Sequence, residues 1–262
     1  LESKFSIEDK KEIILRAFET TFYSANHLTQ NTETFRAFLK SEFILEDKKE
    51  ILLKAFEKNI NLTIYPTETA ETLKALIESE FNLKDTKEII LRAFENSHNS
   101  AYQLTQNAGA LKALIESEFN LKDKKEIILR AFENSHNSAY HLTQNSETFK
   151  AFLESKFSIE DKKEIILRAF TINSDLASYL IENKTSFRIF LSSQLDVEDI
   201  KMIVLEASWK TGLKVLERLL IVLNFYEWKI KKEDLLKFED FLITTDNKNL
   251  EIVLLNKPDI EI

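Results

Sequence analysis

The chain has 262 residues and a formal net charge of −8, with two glycines, two prolines and no cysteine. The missing cysteine excludes disulfides, thiolate metal sites and a cysteine nucleophile. Two glycines (Gly109 and Gly212) rule out a glycine-rich phosphate loop, and so few turn formers argue for an all-α chain. The acidic balance also argues against a protein that wraps nucleic acid, where phosphate contacts supply most of the affinity.

One stretch organises the rest. KKEIILRAF stands at Lys10–Phe18, Lys124–Phe132 and Lys162–Phe170, with close variants at Lys48–Phe56 and Thr86–Phe94. Its alanine falls at Ala17, Ala55, Ala93, Ala131, Ala169 and Ala207, a constant step of 38 residues. A fixed step makes length a count of repeats rather than of domains. The units run Ser6–Phe43, Ile44–Phe81, Asn82–Phe119, Asn120–Phe157 and Ser158–Leu195, with a degenerate one from Asp196. Leu1–Phe18 repeats Leu153–Phe170 without a change, so the chain starts in mid-repeat and reads as a piece of a longer protein.

Each unit opens on a cap. Ser6, Asn82, Asn120, Ser158 and Asp196 stand three residues before Asp9, Asp85, Asp123, Asp161 and Asp199, and only Ile44 departs from the pattern. A side-chain acceptor with an acid three residues on satisfies free amides and favours the helix dipole. In the helix that follows, Ile13, Ile14, Ala17 and Phe18 form a broad apolar arc, as in a helix packed on two sides. Glu12 and Arg16 lie opposite and predict i, i+4 pairs, recurring as Glu50–Lys54, Glu88–Arg92, Glu126–Arg130 and Glu164–Arg168, each worth about 0.2–0.5 kcal/mol.

A short helix over Ser100–Gln106 or Ser138–Gln144 comes next. After a polar break at Asn107 or Asn145–Ser146, a longer third helix is expected over about Glu147–Lys156. Merging the last two into one helix is the alternative. In the second unit Pro66 stands where other copies have Leu, which places the start of its long helix near that proline. The fifth unit drifts over Thr171–Leu195.

The tail differs. Leu213–Trp228 is apolar on nearly every side and reads as a buried cap of the stack, a partner-docking helix or an interfacial membrane helix. Two further helices are expected at Lys232–Ile243 and Lys248–Asn256. The longest apolar run, Leu219–Leu223, is far short of the roughly 20 residues a membrane span needs. Residues 1–209 are thus expected to form an array of about five repeats, and 210–262 its divergent cap.

No catalytic constellation emerges. His27, His98, His136 and His141 make no i, i+4 pair that would ligate a metal. Carboxylates recur with the repeat, whereas an acid–base pair tuned by burial sits once in a pocket. No cofactor is expected. Where the copies differ is more informative: the frame is constant while Glu19–Asn26, Glu57–Ile64, Glu95–Tyr102, Glu133–Tyr140 and Thr171–Ser178 vary, as does the position that follows. The candidate partner-binding residues are therefore Tyr23, His27, Tyr65, His98, Tyr102, Gln103, His136, Tyr140, His141 and Tyr179.

Ala139–Thr143 followed by a polar break and SETFKAFLE resembles the helix–turn–helix half of an ankyrin repeat, and Asp246–Leu255 resembles an ankyrin second helix. A short–long–long helix order also resembles armadillo repeats. The glycine-bearing turn of both is missing, and a capped helix replaces the ankyrin finger loop. The resemblance implies a stacked helical scaffold that binds other proteins, with no catalytic residue to carry over. Ala207–Leu223 resembles the second half of a TAL-effector repeat, which implies the alternative of a modular nucleic-acid reader. The expected architecture is a right-handed α-solenoid of 38-residue repeats with two to three helices each. The expected function is non-catalytic protein–protein interaction. A cytoplasmic setting is favoured, with delivery into another cell left open.

Overall fold

In the first, third, fourth and fifth segments the long first helix begins where its cap puts it. At Ser6 the backbone is extended, the hydroxyl accepts from the Asp9 amide, and the Asp9 carboxylate accepts in return from the Ser6 amide. This closed box satisfies two of the amides a helix start leaves orphaned. Asn82, Asn120 and Ser158 accept from Asp85, Asp123 and Asp161 in the same way. At the far end of the helix the side chains of its apolar arc take over, and tertiary burial rather than propensity holds the helix.

The computed structural model describes residues 5–58, 66–96, 98–173, 176, 180, 183–195, 199 and 203. Among them the regular structure is helical throughout. The first segment contains α1 (Ile7–Thr20), α2 (Phe22–Gln30) and α3 (Thr32–Leu39), and the second α4 (Leu45–Lys58) and α5 (Pro66–Ile77). Then follow α6 (Leu83–Asn96), α7 (His98–Gln106) and α8 (Ala108–Glu116), and α9 (Leu121–Asn134), α10 (His136–Gln144) and α11 (Ser146–Leu153). The fifth segment contributes α12 (Ile159–Ile172) and α13 (Lys184–Leu191). Three separate helices per segment are therefore seen in the first, third and fourth, and α5 starts on Pro66. Tyr65, Tyr179, Asp196, the Leu213–Trp228 stretch and the two helices expected after it lie outside the described residues.

One expectation is corrected. The third helix is not the longer one: α11 has 8 residues against 9 for α10 and 14 for α9, so the order is long–short–short. The reason is local. After Leu153 the Glu154 amide donates to both Lys150 and Phe152, and the Ser155 amide donates to Phe152, which tightens the end into a turn. Three residues further on, Ser158 must be extended to cap α12. A helix continued to Lys156 would leave no chain to make that change of direction.

Equivalent helices pack on one another. The first helices form one row, in which α1 meets α4, α4 meets α6, α6 meets α9 and α9 meets α12. The third helices form another, running α3, α5, α8, α11, α13. Between them α7 packs on α10, and each second helix also touches the first helix of the following segment, α2 on α4, α7 on α9 and α10 on α12. The buried side chains line the seams between these rows. Ile51, Ile89, Ile127 and Ile165 are fully buried, as are Leu52, Ile90, Ile128 and Ile166. Each such side chain contributes about 1.5–3 kcal/mol by leaving water. Phe149 and Phe190, on successive third helices, stack with their ring centres 6.1 Å apart.

Candidate functional site

Two ladders of polar contacts run from segment to segment and set the register of the second-helix row between them. The first begins with the doubled lysine of KKEIILRAF. Its second lysine leaves its own helix and reaches the next segment. Lys11 pairs with Asp47 and Glu50, both at 2.5 Å. Lys49 pairs with Asp85 at 2.5 Å and Glu88 at 2.7 Å, and Lys125 with Asp161 at 2.5 Å and Glu164 at 2.6 Å. Lys87 pairs with Asp123 and Glu126, and Lys163 with Asp199. Asp85, Asp123 and Asp161 are each the residue three beyond a helix cap. Where Asn82, Asn120 or Ser158 is the cap, one carboxylate bonds both the cap side chain and the incoming lysine.

This overturns most of the expected i, i+4 pairs. Glu12–Arg16 forms, at 2.5 Å. Glu50, Glu88, Glu126 and Glu164 instead turn to the preceding segment's lysine. The bases they leave pair elsewhere: Lys54 with Glu57, Arg92 with Glu95, Arg130 with Glu133, and Arg168 across to Glu133. A half-buried lysine held by two acids offers a better site than an exposed pair within one helix.

The ladder shifts protonation. Hydrogen bonds from Lys49 and Lys125 hold the Asp85 and Asp161 carboxyls below the ordinary aspartate range. The same bonds hold the two ammonium groups above the ordinary lysine range. A carboxyl whose folded value is depressed adds stability that is complete above its unfolded value and is lost as pH falls through the folded one. The urea midpoint should therefore be level through neutral pH and fall once pH drops below about 4. The triple variant Lys49→Met, Lys87→Met, Lys125→Met should show a shallower acid decline. Equal declines in both proteins would show that the ladder adds nothing to stability.

The second ladder uses asparagine. The Asn145 carboxamide oxygen caps α11 by accepting from Glu147 and Thr148, while its Nδ2 donates to the Gln106 carbonyl at 2.8 Å. Asn183 repeats both roles, capping α13 and donating to Gln144, also at 2.8 Å. One side chain thus starts its own third helix and closes the end of the previous segment's second helix.

The first lysine of the doublet has a third role. Lys48 and Lys124 are buried and donate to carbonyls at the end of the preceding third helix. Lys48 meets Leu39 at 2.6 Å, and Lys124 meets Ile115 and Ser117 at 2.6 and 2.7 Å. Burial pushes the Lys124 ammonium below its ordinary value. Thr86, at the same position, bonds only inside its own helix, to Asn82. Lys124→Ala should cost about 1–2 kcal/mol by chemical unfolding, because two part-buried acceptors lose their partner. A gain in stability would mean that the desolvated charge outweighs the two bonds.

The candidate partner-binding residues fall into distinct groups. His27, His98 and His136 are exposed on α2, α7 and α10. The His98 Nδ1 lies in hydrogen-bond contact with the Asn134 carbonyl of the next segment. Tyr102, Tyr140 and His141 are half-buried and mutually packed. Tyr102 meets the His141 ring edge-on at 4.7 Å between centres, and Tyr140 does so at 4.9 Å. Burial pushes the His141 imidazole pKa below its ordinary value, which favours the neutral ring. Gln103 is buried and its Nε2 meets no acceptor among the described residues. Tyr23 lies on α2, while Tyr65 and Tyr179 are not among the described residues. The structure thus brings Tyr102, Tyr140 and His141 together and sets Gln103 inside, while His27, His98 and His136 are each exposed on their own helices.

No cluster of three or more potential metal ligands exists among the described residues, and no helix among them is long and apolar enough to cross a membrane. Among the described residues the bases do not form an unbroken stripe. Arg36, Lys74, Lys112, Lys150 and Arg188 recur at one position of the third helices, but Glu33, Glu71, Glu78, Glu116, Glu147 and Glu154 flank them. Arg36 pairs with Glu71 and Lys150 with Glu154. The register-setting residues (the second lysine, the aspartate after the cap and the asparagine before α8, α11 and α13) carried a sequence signal in their constant step. That signal shows the positions are fixed but not that the contacts cross between segments. No protein-family model matches the chain, and no curated protein or solved structure is significantly similar to it.

Proposed function

We propose that the chain is a right-handed α-solenoid of 38-residue repeats, closed by a divergent C-terminal cap, and that it acts as a non-catalytic scaffold for another protein. The observation that carries the reading is the contrast between frame and row. The ladder lysines Lys11, Lys49, Lys87, Lys125 and Lys163 and the aspartates they reach keep one identity at each step, while the second helix reads FYSANHLTQ in α2 against HNSAYQLTQ in α7 and HNSAYHLTQ in α10. His27, His98 and His136 are exposed on these helices, and Tyr102 and Tyr140 both pack on the half-buried His141. Tyrosine is among the residues that carry most of the energy of protein interfaces, and Tyr102 and Tyr140 supply it here. The neutralised lysines of the first-helix row and the flanked bases of the third count against the nucleic-acid alternative, because phosphate binding needs uncompensated cations.

Affinity capture from native extract, with the intact chain and the variant His27→Ala, His98→Ala, His136→Ala side by side, tests the reading. A protein recovered by the intact chain and lost from the variant, with unchanged helical circular dichroism, supports it. Recovery of nucleic acid, with a specific gel shift, overturns it.

A further inference from the structure

The first-helix row has one face that the rest of the stack does not cover. Ile13 is 51% exposed, whereas its equivalents Ile51, Ile89, Ile127 and Ile165 are each 0% exposed beneath the first helix of the segment before. Phe5 is 58% exposed, whereas its equivalent Phe43 is half-buried and Phe81, Phe119 and Phe157 are buried at 7%, 3% and 4%. The electrostatic half of the contact is vacant in step with the apolar half. Asp47, Asp85, Asp123, Asp161 and Asp199 each hold a lysine from the preceding segment, but among the described residues Asp9 accepts only from Ser6. Glu50, Glu88, Glu126 and Glu164 share those lysines, whereas Glu12 falls back on Arg16 of its own helix.

We infer that the face formed by Phe5, Asp9, Glu12 and Ile13 is a docking socket for one further helical segment of the Lys-Lys-Glu-Ile-Ile-Leu-Arg-Ala-Phe type. Its second lysine bridges Asp9 and Glu12, and its apolar arc covers Ile13. Charge selects the occupant: the socket presents two carboxylates beside an apolar patch, and the matching surface is an apolar helix with one lysine at the register of Lys49. The same interface is already made four times between α1, α4, α6, α9 and α12. An unrelated apolar helix would leave Asp9 unpaired, and a basic helix without the apolar arc would leave Ile13 and Phe5 in water. The inference rests on the stacking part of the reading above and is independent of binding at the second helices.

Leu1–Phe5 has the same sequence as Leu153–Phe157, so a copy of residues 120–152 placed directly before Leu1 completes one added segment in register. Amide hydrogen exchange of the extended and the original chain is compared. Exchange in α1 should slow to the rates of α4 in the extended chain. Changing the added copy's counterpart of Lys125 to Ala should reverse part of that protection, and adding Asp9→Asn to that change should cost less than Asp9→Asn alone. Protection of α6 to α9 reports that the host remains folded. Unchanged exchange in α1 with α6 to α9 still protected overturns the inference. So does concentration-dependent self-association of the original chain that Ile13→Asp abolishes, because the face would then belong to a second copy. Either failure leaves the partner-capture result standing by itself.

Discussion

Phe132→Ala is expected to cost about 3–5 kcal/mol, read as the loss of unfolding free energy in urea. Phe132 closes KKEIILRAF in the fourth segment and is fully buried. Its helix, α9, packs on α6, α7, α10 and α12, so the missing ring would open a cavity where several elements meet. Large-to-small changes cost most where the surroundings are held from several sides and cannot collapse into the space. Phe94 and Phe170 are also fully buried at the equivalent positions, which makes the site a property of the stack rather than of one helix. A cost under about 0.5 kcal/mol, the range of surface changes, would show that Phe132 is not part of a packed core.

The second expected result is a difference between two identical substitutions. Ile127→Asp should cost about 3–5 kcal/mol, since it leaves an uncompensated charge inside the seam between α6 and α9. Ile13→Asp, at the equivalent position of α1, should cost less than about 1 kcal/mol, because Ile13 is half in water already. Chemical denaturation of the two variants decides the matter. Equal costs would mean that burial at this position is not set by the preceding segment. Propensity cannot explain a difference, because both residues sit in the same sequence context, Lys-Lys-Glu-Ile-Ile-Leu-Arg-Ala-Phe.

Much of the helical frame was legible from periodicity. Caps at Ser6, Asn120 and Ser158, the apolar arc of Ile13, Ile14, Ala17 and Phe18, and the start of α5 at Pro66 follow from rules that act within a few residues. The contacts that cross between segments were not legible. Glu50 reads as a partner for Lys54, four residues on and on the same face, and nothing local reveals that Lys11 of another segment lies nearer. The length of the third helix was misjudged for a related reason. Leu153 to Lys156 has no helix breaker, and the stop at Leu153 is dictated by the change of direction needed for the next cap at Ser158. In the variable row, sequence comparison picked out Gln103 and His141 together as one position. Gln103 is nonetheless buried while His141 lies half-open between Tyr102 and Tyr140, since equivalent positions see different neighbours once the copies diverge.

The division of labour within KKEIILRAF follows. Its apolar residues fill the seam, its first lysine closes the preceding third helix at Lys48 and Lys124, and its second lysine reaches the next segment. If the proposed repeat reading holds, such a unit should be removable as a whole, because the interface it presents to the next segment would be the one it receives from the last. That property separates a stack of equivalent segments from an ordinary helical domain, in which each helix has its own place.

The most direct test is therefore a deletion in register. Removing Asn120–Phe157 joins Phe119 to Ser158, a junction with the same caps, the same lysine-to-aspartate reach and the same seam as those already present. The variant is predicted to unfold cooperatively, with unchanged ellipticity per residue and a lower midpoint. Removing residues 120–138, half of that length, should abolish cooperative unfolding, because it throws every ladder contact beyond the junction out of step. If the full-segment deletion lost cooperative folding as completely as the half-segment deletion, the account of the chain as a stack of equivalent segments would be contradicted.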